Sequence, residues 1–357
     1  MTLVFRTLAL ILLIAVLSGC AGPAYYAQAI SGQLEILAKR RPVEDVLNDH
    51  ATPAQTRRQL ELVQRLRDFA SRELLLPNNR SYRTYADLER PFAVWNVYAA
   101  PELSLEPKRW CFLVAGCVPY RGYFAHDQAE QFAASLKQKG YDVYVGGVPA
   151  YSTLGWFDDP LLNTFIHKDE AELAGLLFHE LAHQKIYVSG DSAFNESFAT
   201  VIELEGIKRW FQQGGNAKEA EAYRLKVQRR EEFSALVLKH RARLKEIYAS
   251  DSSDAEKRAA KVRVFEELRN DYAILKSGWN GYAAFDNWFK QDLNNAHLAA
   301  IVLYNQYVVV FQTLLAQHGG DLATFYREVE RLAQLPPDER AVVLQTRMLA
   351  ANPLKRE

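Results

Sequence analysis

Neither sign of charge predominates in this 357-residue chain, in which 43 lysines and arginines stand against 43 aspartates and glutamates. The cationic surplus needed to neutralise a phosphate backbone is missing, so nucleic acid is excluded as a partner. Long apolar runs are missing too. The stretch from Thr7 to Leu17 is about 11 residues, whereas a helix needs about 20 to cross a bilayer. Cysteine is scarce, with Cys20, Cys111 and Cys117 alone. There is no internal repeat and no low-complexity segment, and a 12% aromatic content points to a well-filled core.

What is present begins with an export pattern. Arg6, the apolar run and the small-residue boundary Leu17-Ser18-Gly19-Cys20 form the three regions of a signal peptide. The last four of these residues resemble the lipobox of bacterial lipoproteins. That resemblance implies that residues 1–19 are a lipoprotein signal peptide, that Cys20 is lipidated, and that several acyl chains anchor the protein to a membrane. The implied location is the bacterial cell envelope, facing the periplasm. Ala21, in place of an aspartate, favours the outer membrane. In such an oxidising compartment Cys111 and Cys117 can form a disulfide. A straight strand would hold them about 20 Å apart, so the bond requires a turn that Gly116 or Pro119 can supply; two free thiols are the alternative.

Along the mature chain, residues 20–50 read as a tether, Ala21 to about Gln33, followed by a short helical segment broken at Pro42. Residues 51–357 read as one α+β domain, predominantly helical. Its first helix opens at Thr52-Pro53-Ala54-Gln55 as a capping box and carries Leu62, Leu66 and Phe69 on one face. A small mixed α/β part covers about 78–160, with aromatic and β-branched runs at 92–99, 110–115 and 141–145 and a helix at about 127–139. Two motif helices occupy about 169–212. The helical part, about 217–357, begins with a charged hairpin, Ala217 to Ala249 and Asp254 to Lys276, turned at Ser250-Asp251-Ser252-Ser253. Asn294 to Ala316 then reads as one apolar helix, and a last pair is split at Pro336-Pro337.

The chemistry lies in Phe178-His179-Glu180-Leu181-Ala182-His183 and in Asn195-Glu196-Ser197-Phe198-Ala199. Residues i and i+4 share a helix face, so His179 and His183 can meet one metal ion. Glu180 is turned by about 100° and stands beside that ion, where a carboxylate can take a proton from water. A third ligand follows from counting. The helix rises about 6 Å beyond His183, a turn at Val188 to Asp191 reverses it, and a second helix capped by Asp191 or Ser192 descends about 6 Å to Glu196. Glu196 thus returns to the level of His183. Asp191 is a weaker candidate, and Glu203 and Glu205 are placed to orient an imidazole from behind.

The two motifs together are similar to the gluzincin metallopeptidases, whose HExxH helix is completed by a glutamate on a following helix. With the lipobox, Trp110-Cys111-Phe112 and Cys117-Val118-Pro119-Tyr120-Arg121-Gly122-Tyr123-Phe124, they resemble a predicted zinc aminopeptidase family of proteobacterial lipoproteins. The resemblance implies a Zn2+ cofactor on His179, His183 and Glu196, a zinc-bound water activated by Glu180, and a peptide substrate. It further implies an oxyanion donor from the later helices, for which Tyr304 leads Tyr307 and His297. An edge strand within Gly146 to Trp156 would bind the extended peptide. Two features depart from thermolysin-like enzymes: the interval between His183 and Glu196 is shorter, and Thr200 stands where those enzymes carry an aspartate. The competing expectation is a non-catalytic zinc-binding envelope lipoprotein, a scaffold or adaptor that binds partners through the hairpin.

Overall fold

The computed structural model describes residues 22–112, 116–150, 153, 157–214, 217–302 and 307–351. It opens with α1 (Pro23–Ala38), β1 (Arg41–Pro42), α2 (Val43–Asn48) and α3 (Ala54–Glu73). The segment expected to be a tether is therefore helical from Pro23. Its inner face is held down: Tyr25 packs on Phe112 and Tyr123, and the Gln28 amide bridges Gly122 O and Phe124 N. Gly32 lies so close to the Phe124 ring that a Cβ could not be accommodated without movement. The cap of α3 also differs from expectation. Pro53 occupies the N-cap without a side-chain bond, and the Thr52 hydroxyl donates instead to Val46 O, tying α3 to α2. Leu62, Leu66 and Phe69 are buried as their spacing predicts.

Strands β2 (Thr84–Ala86), β3 (Val94–Pro101), β4 (Trp110–Phe112), β5 (Gly116–Val118) and β6 (Tyr120–Tyr123) follow. Then come α4 (His126–Lys137), β7 (Tyr141–Val148), β8 (Leu161–Leu162) and α5 (Asn163–Ile166). The principal sheet is antiparallel in the order β6-β3-β7, with Asn96 opposite both Gly122 and Gly146. Alternation divides its two faces. Trp95, Val97 and Ala99 face α4 through Ala129, Ala133 and Leu136. Tyr98, with Tyr120 and Tyr144 beside it, faces a later helix through Ala296 and Ala300.

The remainder is helical: α6 (Glu170–Lys185), α7 (Ser192–Gln212), α8 (Ala217–Ala249), α9 (Asp254–Ser277), α10 (Asp286–Phe289), α11 (Asn295–Val302), α12 (Val308–Gln317), α13 (Leu322–Ala333) and α14 (Pro337–Ala351). As the charge pattern indicated, α8 and α9 form an antiparallel hairpin, and Ser253 with Glu256 makes a reciprocal capping box at its turn. Phe233, Val237 and Leu244 pack against Val264, Phe265 and Leu268 to give it a core of its own. The single apolar helix expected over 294–316 is instead two. Tyr307 is a non-helical N-cap whose amide donates to Ser197 Oγ on α7, so a tertiary contact takes the place of the helical bond. The main core joins α3, α6, α7, α12 and α13 through Leu66, Leu177, Phe198, Phe311 and Phe325. The architecture is α+β and predominantly helical. Among the described residues no helix is long and apolar enough to cross a membrane.

Candidate metal centre

Asp169 begins α6 by accepting the Glu172 amide at 2.9 Å. Leu173, Leu177 and Leu181 are completely buried along one side, leaving His179, Glu180 and His183 on or beside the opposite side. The reversal into α7 is built locally. Gly190 supplies a positive φ of 81°, and Asp191 caps α7 through the Phe194 amide. The buried Asn195 side chain clasps Val188 at both ends, its Oδ1 accepting from Val188 N and its Nδ2 donating to Val188 O, each at 2.8 Å. This clasp pins the turn to the first turn of α7 and sets the direction of the next residue, Glu196. Arg340 from α14 fixes the turn from outside, with Nε 2.8 Å from Asp191 Oδ2. Close helix packing depends on missing side chains: a Cβ on Gly175 would reach Ile207 and Glu203, and one on Gly206 would strike Phe178.

His179 Nε2 is 3.2 Å from Glu196 Oε2 and 3.2 Å from His183 Nε2, and His183 Nε2 is 3.7 Å from Glu196 Oε1. Two imidazole nitrogens facing each other this closely repel unless a proton or a cation lies between them. Tetrahedral zinc, with bonds of about 2.0–2.1 Å, keeps its ligand atoms roughly 3.3 Å apart. The two nitrogens and one carboxylate oxygen, all within 4.8 Å of one another, therefore fit such an ion in spacing and donor chemistry. Behind the cluster, Glu203 Oε2 lies 3.2 Å from His179 Nδ1 and orients that ring. Glu203 is itself held through Oε1 by the Tyr223 hydroxyl at 3.0 Å and by Arg230 at 3.3 Å, both from α8.

Burial and mutual charge act in opposite directions on these groups. Burial would depress the His179 imidazole, but Glu196 and Glu203 overcome it and raise its pKa to about 10. Burial would likewise raise the two carboxyls; His183 and His179 hold Glu196 far below the carboxylate range, and His179 with Arg230 brings Glu203 to about 2. Glu180 behaves differently. Burial raises it, and the neighbouring His183 and His179 only partly oppose that shift. It opens with His179 and Thr200 onto a cleft of about 460 Å³ that also meets Val148, Pro149, Ala150, Arg230 and Phe285. The strand end at Val148 belongs to β7, an edge of the principal sheet, as the glycine-rich stretch suggested.

Other expected residues have different positions. Glu205 turns away to Lys208 and Arg209. His297 is buried against Tyr144 and Trp288 and is not among the cleft-lining residues. Cys20 and Tyr304 lie outside the described residues. Cys111 and Cys117 are bonded, directly opposite each other across β4 and β5. That hairpin presses on the α6–α7 turn: Gly116 abuts Ser189 and Gly190, and Arg109 donates to Gly190 O at 2.9 Å.

Sequence reasoning gave no role to Tyr120, which is not among the cleft-lining residues. It lies on the same sheet face as Tyr98, with which its ring packs at 5.7 Å. Burial, then the charges of Glu196 and Glu180, hold its phenol protonated, well above the ordinary value. The signal was available in the Cys117-to-Phe124 stretch, where strand alternation puts Tyr120 and Gly122 on one face and Arg121 and Tyr123 on the other.

Among known proteins, the family described as "Putative aminopeptidase" matches residues 24–344, and the chain belongs to that family. No curated protein and no solved structure gives a significant match.

Proposed function

We propose, with that family membership as premise, that the protein is a zinc-dependent aminopeptidase of the bacterial cell envelope, anchored by lipid on Cys20 and facing the periplasm. The supporting observation is the convergence of His179, His183 and Glu196 beside a cleft that also exposes Glu180. A purely structural zinc site would close with a fourth side chain. Among the described residues the group has three members, and the adjoining carboxylate is one that a structural site does not require.

His179, His183 and Glu196 would hold the ion. When bound, zinc supplies a Lewis acid that polarises a peptide carbonyl and makes coordinated water more acidic. Glu180 accepts the proton of the attacking water and passes it to the leaving amine; its burial-raised pKa suits both transfers. Glu203 keeps the His179 ring in register. A tyrosine hydroxyl from the later helices, Tyr304 being the leading candidate, would donate to the oxyanion. An extended peptide would lie along the end of β7 at Val148 to Ala150, adding backbone hydrogen bonds to the sheet edge.

The preference for a free amino terminus rests on the family description. Metal analysis of the purified protein, combined with hydrolysis of peptides bearing free or blocked amino termini, tests the whole reading. One zinc per chain and cleavage confined to free amino termini are expected. Absence of stoichiometric metal would refute the zinc peptidase, cleavage of blocked peptides would make it an endopeptidase, and zinc without cleavage would leave the scaffold reading.

A further inference from the structure

The outward face of α1 carries no charge. Pro23, Ala24, Ala27, Ile30, Ser31, Leu34 and Ala38 are its exposed positions, recurring at the three- and four-residue intervals of one helical face. Ile30 and Leu34 are 60% and 58% exposed and lie one turn apart on this uncharged face, so they form an apolar stripe rather than isolated exposed residues. The only charged residue within α1, Glu35, is drawn inward to Arg90 at 2.8 Å. The opposite face is occupied by the protein through Tyr25, Gln28, Gly32 and Ile36.

Where this helix begins identifies its partner. Pro23 is three residues after Cys20, so the first turn can be no more than about 10 Å from the lipid attachment point. A helix 16 residues long, with its inner side already committed, can present only the uncharged outer face to the headgroups. We propose that this face lies on the bilayer surface as a second membrane contact, with Ile30 and Leu34 entering the headgroup–acyl boundary and setting the orientation of the enzyme. The inference rests on the lipid-anchor part of the proposed function. A shallow apolar stripe of this kind supplements an acyl anchor without replacing it.

The test uses the full-length lipoprotein reconstituted in vesicles of phosphatidylethanolamine and phosphatidylglycerol. With Cys20 acylated, as the proposed anchor requires, and Cys111 bonded to Cys117, a cysteine introduced by Ile30→Cys or Leu34→Cys is the only free thiol and can carry an environment-sensitive fluorophore. Val262→Cys on α9, at a position 58% exposed, is the control. Spin-labelled lipids should quench positions 30 and 34 by more than half and leave position 262 unchanged. Equal, negligible quenching at all three positions in vesicle-floated protein with acylated Cys20 would overturn the surface contact while leaving the anchor intact. Failure to float, with an unmodified Cys20 by mass spectrometry, would overturn the anchor and the contact with it. Photo-crosslinking of position 30 to protein rather than lipid in native envelopes would also overturn it, in favour of a protein partner.

Discussion

Among the described residues two helix pairs bring histidine against carboxylate. On α6 and α7, His179 and His183 meet Glu196, and Glu203 backs His179. Across the hairpin, His240 Nε2 meets Asp271 Oδ2 at 2.9 Å, beside a groove of about 700 Å³. The second cavity is larger and its histidine is as deeply buried, yet the arrangement does not make a metal centre. Lys239 Nζ already occupies the same Asp271 oxygen at 3.1 Å, and no second imidazole or further carboxylate converges there among the described residues. The comparison separates burial from convergence. A buried histidine with one acid is an internal tie, whereas a site for a divalent ion needs three donors aimed at one point with no resident cation among them.

His183→Ala should break the contrast most severely. With one of three donors gone, zinc content should fall to background in elemental analysis and peptide hydrolysis should disappear with it. Glu180→Gln should sharpen the contrast by separating binding from chemistry: zinc stays stoichiometric while kcat falls by about 10²- to 10⁴-fold, and a variant that kept its rate would remove Glu180 from the proton transfer. Glu203→Gln should be milder. Without the carboxylate behind His179, zinc affinity measured by chelator competition should drop by about 10- to 100-fold. An unchanged affinity would show that the Glu203, Tyr223 and Arg230 network merely joins α7 to α8. The smallest effect is expected of His240→Ala, whose metal content and rate should equal those of the parent protein; any loss of zinc would refute the distinction between the two clusters.

Much of the site was legible because it is local. The spacing of His179 and His183 is one helical turn, and Gly190 and Asp191 carry recognisable turn and capping chemistry, so the return of Glu196 could be counted out residue by residue. The α8–α9 hairpin was legible for the same reason, through its charged composition and the Ser250–Ser253 turn. Where the reading went astray, long-range contacts overrode local pattern. A stretch resembling a tether is a helix because aromatic residues from the sheet hold it, and an apolar run splits at Tyr307 because Ser197, distant in sequence, takes its amide. Pro53 displaced Thr52 as the cap of α3 because the Thr52 hydroxyl is bonded to α2.

By itself the sequence determined the donor types, their helical phase and the turn that reverses the chain between them, since all three depend on neighbours within one or two helical turns. Only the tertiary structure decided which acid stands behind His179 and which side of α1 is left bare. Those outcomes depend on how α7 crosses α6 at Gly175 and Gly206 and on which helix face the aromatic residues of the sheet cover. Such placements arise from packing between segments far apart in the chain, and no local period encodes them.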